Sequence, residues 1–140
     1  MNKLLVHEVL DKVRKARHKN IKIEILKNND SWALKDILRG TFDTTVKWNL
    51  PAGDPPFTKC GPHNAPTNLY KEHRKFVYFV KGVRESNRLH PAKRESIFIG
   101  LIEGIDPFDA QLVINMINKT KPEGITRNIV QEAFPNLLQD

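Results

Sequence analysis

The chain has 140 residues, and 39% of them are hydrophobic, which is enough to bury a core and excludes an intrinsically disordered protein. Lysine and arginine total 23 against 16 aspartates and glutamates, and this net charge of +7 favours an anionic partner such as nucleic acid. The single cysteine excludes a disulfide framework and suits a reducing cytoplasm, while the lack of a secretory signal and of an apolar run of roughly 20 residues predicts no membrane partner.

Residues 1–43 predict three N-terminal helices. Apolar residues recur on one face of residues 3–17, which is the pattern of an amphipathic helix. The stretch "NIKIEILKNN" alternates as a strand does, but we favour a short helix because its flanks are helical and no partner strand is evident. The third helix, in "NNDSWALKDILRG", is predicted to start at a capping cluster that ends in Ser31 and to stop at Gly40.

Residues 44–66 are predicted to form a proline-rich extended loop, because five of the nine prolines lie in "TFDTTVKWNLPAGDPPFTKCGPHNAP". Alternation from Thr44 to Leu50 indicates an extended piece, at most a minor edge strand. A loop of this length in a small domain is often functional or poorly ordered. Trp48 and Phe57 are predicted to pin the loop to the core or, alternatively, to be its sticky residues for docking a partner.

Residues 67–94 are predicted to be a basic helix followed by a basic connector. In "PTNLYKEHRKFVYFVKG" the residues Leu69, His73, Phe76 and Val80 share one helical face, and the glycine at the end predicts the stop. The connector is "VRESNRLHPAKR".

Residues 95–140 predict an acidic unit of three helices. Three residues predict where the middle helix begins. Asp106 is the predicted N-cap, and Pro107 suits the first helical position. Asp109 places negative charge near the positive end of the helix dipole. The apolar stripe of that helix is predicted to comprise Phe108, Leu112, Val113, Met116 and Ile117.

The last helix is predicted to be capped by Thr126 and ended by Pro135. Counting all segments gives about seven helices, and residues 1–140 therefore predict a single, mainly α domain. The spacing of the last two helices resembles a helix-turn-helix, but the would-be reading helix offers only Arg127 to DNA phosphates and Glu132 opposes it. A helical subdomain or protein-docking surface is the favoured interpretation.

Positive charge is unevenly distributed along the chain. Residues 1–27 carry a net +5, residues 28–57 a net −1, residues 58–94 a net +7 and residues 95–140 a net −4. The predicted contacts to nucleic acid or to an acidic partner are Lys12, Arg14, Lys15, Arg17, Tyr70, Arg74, Lys75 and Lys81. Aromatic rings beside cations are typical of single-stranded nucleic-acid binders, although a basic patch that docks an acidic protein fits equally well.

Catalytic and metal-binding patterns are weak. Cys60 and His63 form C-x2-H with His73 ten residues further on, but a zinc site needs a fourth ligand, which only a distant group such as His90 would supply. No phosphate-binding glycine loop and no hydrolase or metalloprotease motif occurs. We therefore predict a non-enzymatic protein with no metal and no cofactor; an enzyme using Cys60 and His63 is the weakest alternative.

Several stretches together carry a family resemblance: "NNDSWALKDILRGTFD", "LPAGDPPF", "ESIFIGLIEGIDPFDAQLVINMINK" and "GITRNIVQEAFPNLL". They resemble a family of small uncharacterised proteins of T-even-like tailed phages and their marine relatives. The resemblance implies a viral protein that acts in the host bacterial cytoplasm or in the virion, and it implies no reaction and no site residues.

Two functional hypotheses follow. The first is a phage accessory protein whose basic surfaces bind nucleic acid or a complex that processes it, such as host polymerase or the phage replication or transcription machinery. The alternative is a virion component or an inhibitor of a host protein.

Overall fold

The computed structural model describes residues 4–61 and 64–139, and it confirms the mainly helical fold that the sequence predicts. Eight α-helices and one 3-10 helix make up the regular structure of these residues. The α-helices are α1 (Val6–Lys15), α2 (Lys19–Asn28), α3 (Trp32–Phe42), α4 (Leu69–Glu72), α5 (Arg84–Asn87), α6 (Pro91–Glu103), α7 (Pro107–Ile117) and α8 (Arg127–Ala133), and the 3-10 helix spans His73–Phe79. None of the helices in these ranges has the length and apolar character needed to cross a membrane.

Side-chain caps begin α3, α7 and α8 at the positions that the sequence predicts. The Ser31 hydroxyl accepts a hydrogen bond from the Leu34 N–H (3.1 Å), and the Asp106 carboxylate accepts one from the Phe108 N–H (2.8 Å). Thr126 caps α8 in the same way. Each cap satisfies a backbone N–H that the first helical turn leaves without an intrahelical partner. The ambiguous stretch after α1 is helix α2, as predicted.

The core is one hydrophobic cluster to which residues from Val6 to Phe134 contribute. Helix α7 lies at its centre and packs against α1, α3 and α6, while α8 packs chiefly against α2. The C-terminal helices therefore bury their apolar faces mainly on N-terminal ones. Helices α7 and α8 do not form the closely packed pair that a helix-turn-helix requires.

Gly40 does not end α3, contrary to the prediction, because the helix continues to Phe42. A Cβ atom at residue 40 would lie 2.5 Å from Cζ2 of Trp48 and 2.6 Å from Sδ of Met116. The Trp48 indole N–H also donates a hydrogen bond to the Gly40 carbonyl (3.0 Å). The glycine therefore serves a close approach of three chain segments, which a larger residue would push apart.

The predicted edge strand is reduced to a single antiparallel bridge between Trp48 and Val80. The Asn49 N–H donates to the Phe79 carbonyl (2.6 Å), and the Lys81 N–H donates to the Lys47 carbonyl (2.7 Å). The continuous helix predicted for this basic segment is instead the short α4 followed by the 3-10 helix, which ends where Val80 turns extended to make the bridge.

Helix α6 starts earlier than the sequence analysis predicts. His90 caps it by accepting a hydrogen bond from the Ala92 N–H (3.2 Å), and Pro91 takes the first helical position. The predicted basic connector therefore contains the short α5 and the first turn of α6.

The apolar stripe of α7 is wrong at Phe108, whose side chain is 64% exposed and lies 5.3 Å from the His7 ring, measured between centroids. The buried residues of α7 are Asp109, Ala110, Val113, Ile114, Met116 and Ile117. Because α1, α3 and α6 surround α7, its buried face is broader than one stripe and is turned away from Phe108.

Asp109 is buried where α7 meets α1, which the helix-dipole interpretation does not anticipate. One carboxylate oxygen accepts a hydrogen bond from the His7 N–H (2.9 Å), and the other has no hydrogen-bond partner within the described ranges. Burial raises the pKa of this carboxyl to about 6, while the His7 N–H and ring oppose the shift and Asp106 and Glu8 add to it. His7 itself is partly buried, and its Nε2 lies 3.3 Å from the Asp106 carboxylate.

Replacing Gly40 by alanine should lower the free energy of unfolding by about 1–3 kcal/mol, since overpacking against Trp48 outweighs the better helix propensity of alanine. The matched control is Gly100→Ala in α6, where a Cβ meets no atom within 4 Å and the substitution should stabilise by up to about 1 kcal/mol. Urea unfolding of the two variants measures both signs. A Gly40→Ala protein at least as stable as the wild type would contradict the close approach.

Asp109 should make stability fall as the pH rises. Its pKa is raised from 3.8 to about 6 in the folded chain, so the folded state holds the extra proton, and the stabilisation is complete below about pH 4 and lost through pH 6. The difference is at most about 3 kcal/mol. Urea unfolding at several pH values should give Asp109→Asn a flatter profile than the wild type, with the exposed-loop variant Asp54→Asn as control. Parallel profiles for wild type and Asp109→Asn would refute this linkage.

Candidate nucleic-acid interface

The basic end of α1 is partly neutralised by carboxylates. Arg14 and Lys15 both pair with Asp11, and Lys19 pairs with Glu132 of the acidic C-terminal region at 2.7 Å. Lys12 and Arg17 are exposed, with no carboxylate within 4 Å among the described residues. Of the four cations predicted on this helix, two are therefore left for an external anion.

Tyr70 is held by the fold, and its predicted contact with a base stays a prediction. Its hydroxyl donates a hydrogen bond to the Leu4 carbonyl, and its ring packs against the core. Burial raises the pKa of this phenol, with Asp109 and Glu8 adding to the shift. Tyr78 is 36% exposed and is the aromatic ring of this segment that remains on the surface.

The bridge at Val80 gathers cations that lie far apart in the sequence. It places Lys47 beside Lys81, two residues whose backbones share a hydrogen bond and whose side chains are both exposed. Arg74 is exposed on the adjoining 3-10 helix, whereas Lys75 is paired with Glu72 at 2.8 Å. Within the described ranges no carboxylate lies within 4 Å of Lys47, Arg74 or Lys81. We call these three residues with Tyr78 the basic surface.

A cleft of about 530 Å³ opens beside the basic surface, between α3 and the 3-10 helix. Asp36 of α3 lies in it and contacts Nδ1 of His73 at 2.6 Å and the guanidinium of Arg39 at 3.3 Å. The side chains of Asp36 and His73 are 17% and 12% exposed, so the pair is mostly shielded from solvent. Arg74 belongs to both the cleft and the basic surface.

Trp48 and Phe57 are partly buried and pack against the core, and their alternative role as docking residues stays a prediction. Trp48 also meets Phe76 edge-on, with ring centroids 6.3 Å apart. The other prediction for them, that they pin the loop to the core, is confirmed.

Loop residues up to Gly61 are further tied to α6 and α7. The Gly53 N–H and carbonyl both bond the Asn118 amide (2.8 and 3.1 Å), and the Thr58 N–H donates to Glu103 (2.8 Å). The Cys60 thiol donates to the Ile105 carbonyl at 2.7 Å.

Within the described ranges, the other histidines considered as zinc ligands have partners other than Cys60. His63 lies outside the described residues, His73 is bonded to Asp36, and His90 caps α6. Among the residues that the structure describes, no group of three or more histidine, cysteine, aspartate or glutamate side chains is placed to hold a metal ion.

Trp32 is an exposed surface residue that the sequence analysis missed. Its side chain is 62% exposed, and the Lys35 ammonium lies 4.1 Å from the centre of the ring system. The signal was present, because Trp32, Lys35, Asp36 and Arg39 follow helical spacing on the face of α3 opposite the buried Ala33, Leu34, Ile37 and Leu38.

Lys47 was also missed, because its segment carries a net negative charge and no local pattern pairs it with Lys81. Their proximity depends on a bridge between segments more than thirty residues apart.

These observations define a small, mainly helical protein that carries a basic surface beside a partly shielded cleft. Residues 9–122 match the model of DUF6433, a family of unknown function. Because this match covers more than half of the chain, the protein belongs to that family. No curated protein and no solved structure matches the chain.

Proposed function

We propose that this protein is a non-enzymatic accessory protein that binds single-stranded nucleic acid, or the complex that processes it, through the basic surface. The observation that carries the proposal is the pairing of Lys47 with Lys81 across the bridge, next to a 3-10 helix that exposes Arg74 and Tyr78. Among the described residues, no carboxylate lies within 4 Å of the three cations. The α1 cations contribute less to the proposal, because Arg14 and Lys15 are already paired with Asp11.

Phosphate contacts by such cations release counterions, and this release supplies much of the affinity of nucleic-acid binders. The exposed ring of Tyr78 adds a face on which a base can stack, as in sequence-tolerant binders of single strands. The backbone bridge fixes the Cα positions of the two lysines while their side chains stay flexible, which suits contacts to successive phosphates.

We further propose that the protein is viral and acts in the host bacterial cytoplasm, beside the host polymerase or the phage replication or transcription machinery. Support comes from the resemblance of "ESIFIGLIEGIDPFDAQLVINMINK" and "GITRNIVQEAFPNLL" to proteins of T-even-like tailed phages.

Binding of a fluorescent oligothymidylate, measured by anisotropy across salt concentrations, tests nucleic-acid contact. We expect steep loss of affinity between about 50 and 200 mM salt, and a slope in log–log form reduced by about 2 in Lys47→Gln/Lys81→Gln. The control is Lys27→Gln/Lys93→Gln, which removes the same charge from exposed helical positions outside the basic surface. Absence of binding at about 50 mM salt, or equal slopes for the two double variants, would overturn the proposal.

A second candidate function is protein interaction through α3, as in a virion component or an inhibitor of a host protein. The observation that favours it is the 62% exposure of Trp32 beside a groove that Phe134 and Pro135 also line. Tryptophan is among the residue types that most often anchor protein interfaces.

Affinity purification from infected host cells separates the two candidates. If the second is correct, a protein partner survives nuclease treatment, is retained by Lys47→Gln/Lys81→Gln and is lost with Trp32→Ala. If capture instead depends on the two lysines and is abolished by nuclease, the second candidate is eliminated. Because Trp32 is mostly exposed, its replacement by alanine should change the free energy of unfolding by less than about 0.5 kcal/mol.

A further inference from the structure

The cleft between α3 and the 3-10 helix contains hydrogen-bond donors that the fold itself does not use. His73 bonds Asp36 through Nδ1, and its other ring nitrogen, Nε2, makes no hydrogen bond within the described ranges. Arg74 makes no ion pair there, and Arg39 uses one terminal nitrogen on Asp36. Arg39 and Arg74 therefore line one cavity with N–H groups that no described residue uses, and His73 adds a ring nitrogen without a described partner.

The two carboxylates of the cleft are already engaged. Asp36 is shared between His73 and Arg39, which fixes the position of both side chains. Asp43 is buried and accepts hydrogen bonds from Thr45 and from the Gln139 N–H. Although burial opposes it, these bonds and the charge of Lys119 hold the pKa of Asp43 below its usual range.

We propose that this cleft is a phosphate-binding site, in which Arg74 and Arg39 donate hydrogen bonds to one phosphate group and His73 Nε2 makes a further hydrogen bond to it. This inference rests on the proposed function and names the place where the bound ligand is anchored. Guanidinium groups match phosphate geometry and bind it through paired N–H groups. Asp36 acts as a positioning residue, because it holds Arg39 and His73 in place and does not touch the ligand.

The size of the cleft sets the class of ligand. A volume of about 530 Å³ lies within the range of pockets that hold small molecules, so a whole nucleotide fits and not only its phosphate. The phosphate has two possible sources, a free mononucleotide or the backbone of a nucleic-acid strand. The edge of Trp48 lines the same cavity and offers an aromatic surface to the attached base.

The chain supplies its own reporter for this site. Of its two tryptophans, Trp48 lines the cleft and Trp32 does not, so a Trp32→Phe protein has its tryptophan emission from the cleft. We would titrate that protein with inorganic phosphate at constant ionic strength, set with potassium chloride, and follow both emission and backbone amide shifts by NMR. We expect saturable changes with half-saturation at about 1–10 mM, the strength of a few polar contacts.

Arginine-to-glutamine variants decide where the phosphate binds. In the Trp32→Phe background, Arg74→Gln and Arg39→Gln should each weaken phosphate binding at least fivefold. The Arg39→Gln variant keeps the test valid if Arg74→Gln fails to fold. Arg88→Gln, an exposed arginine outside the cleft, should leave the half-saturation point unchanged. Thymidine 5′-monophosphate and an oligothymidylate without terminal phosphates then distinguish the two sources of phosphate.

The outcomes separate this site from the proposed function. If neither emission nor amide shifts respond to phosphate, or if Arg74→Gln and Arg88→Gln behave alike, the cleft is not a phosphate site, even where the oligonucleotide still binds through Lys47 and Lys81. If phosphate and the mononucleotide bind through Arg74 while the oligonucleotide does not, the cleft stands and nucleic-acid binding is wrong.

Discussion

The contact of Gly40 with Trp48 and Met116 is the constraint on which the functional surface depends. It joins α3, α7 and the segment that follows α3 at one point, with no room for a Cβ atom between them. Once Trp48 is fixed there, its backbone reaches Val80 and forms the bridge. The bridge sets Lys47 beside Lys81, and the same tryptophan forms a wall of the cleft.

The starts of α3, α7 and α8 were predictable because their causes are local. The caps at Ser31, Asp106 and Thr126 need only a side-chain oxygen and a backbone N–H within three residues, so the sequence pattern contains all the information. The predicted stop at Gly40 failed because a contact with distant residues, rather than helix termination, requires that glycine.

Burial was harder to predict, since it depends on which helices surround a residue. Phe108 fits the apolar spacing of α7, yet the neighbours of that helix cover Asp109 and leave the phenylalanine outside. Tyr70 looks like a free aromatic residue in the sequence, but its hydroxyl donates a hydrogen bond to the distant Leu4 carbonyl. For the same reason, the proposed site could be predicted from the sequence only in part. Arg74 and Lys81 lie in a basic segment that the sequence shows, whereas Asp36, Arg39 and Lys47 reach the site through tertiary contacts.

Whether a cation can contact an external anion depends more on its ion-pair partners than on the net charge of its segment. In α1, Arg14 and Lys15 pair with Asp11 of the same helix, and Lys19 at the start of α2 pairs with Glu132 of the C-terminal region. The cations of the basic surface have no carboxylate within 4 Å among the described residues and therefore stay available to an external anion.

The hydrogen bond from Cys60 to the Ile105 carbonyl makes the proline-rich loop accessible to chemical kinetics. Cys60 is the sole thiol of the chain and is partly buried, so an alkylating reagent reacts faster when the loop has lifted from the Ile105 carbonyl. A change in the labelling rate under native conditions then reports local opening of that loop. The reactivity of this one thiol thus reports local opening of the proline-rich loop.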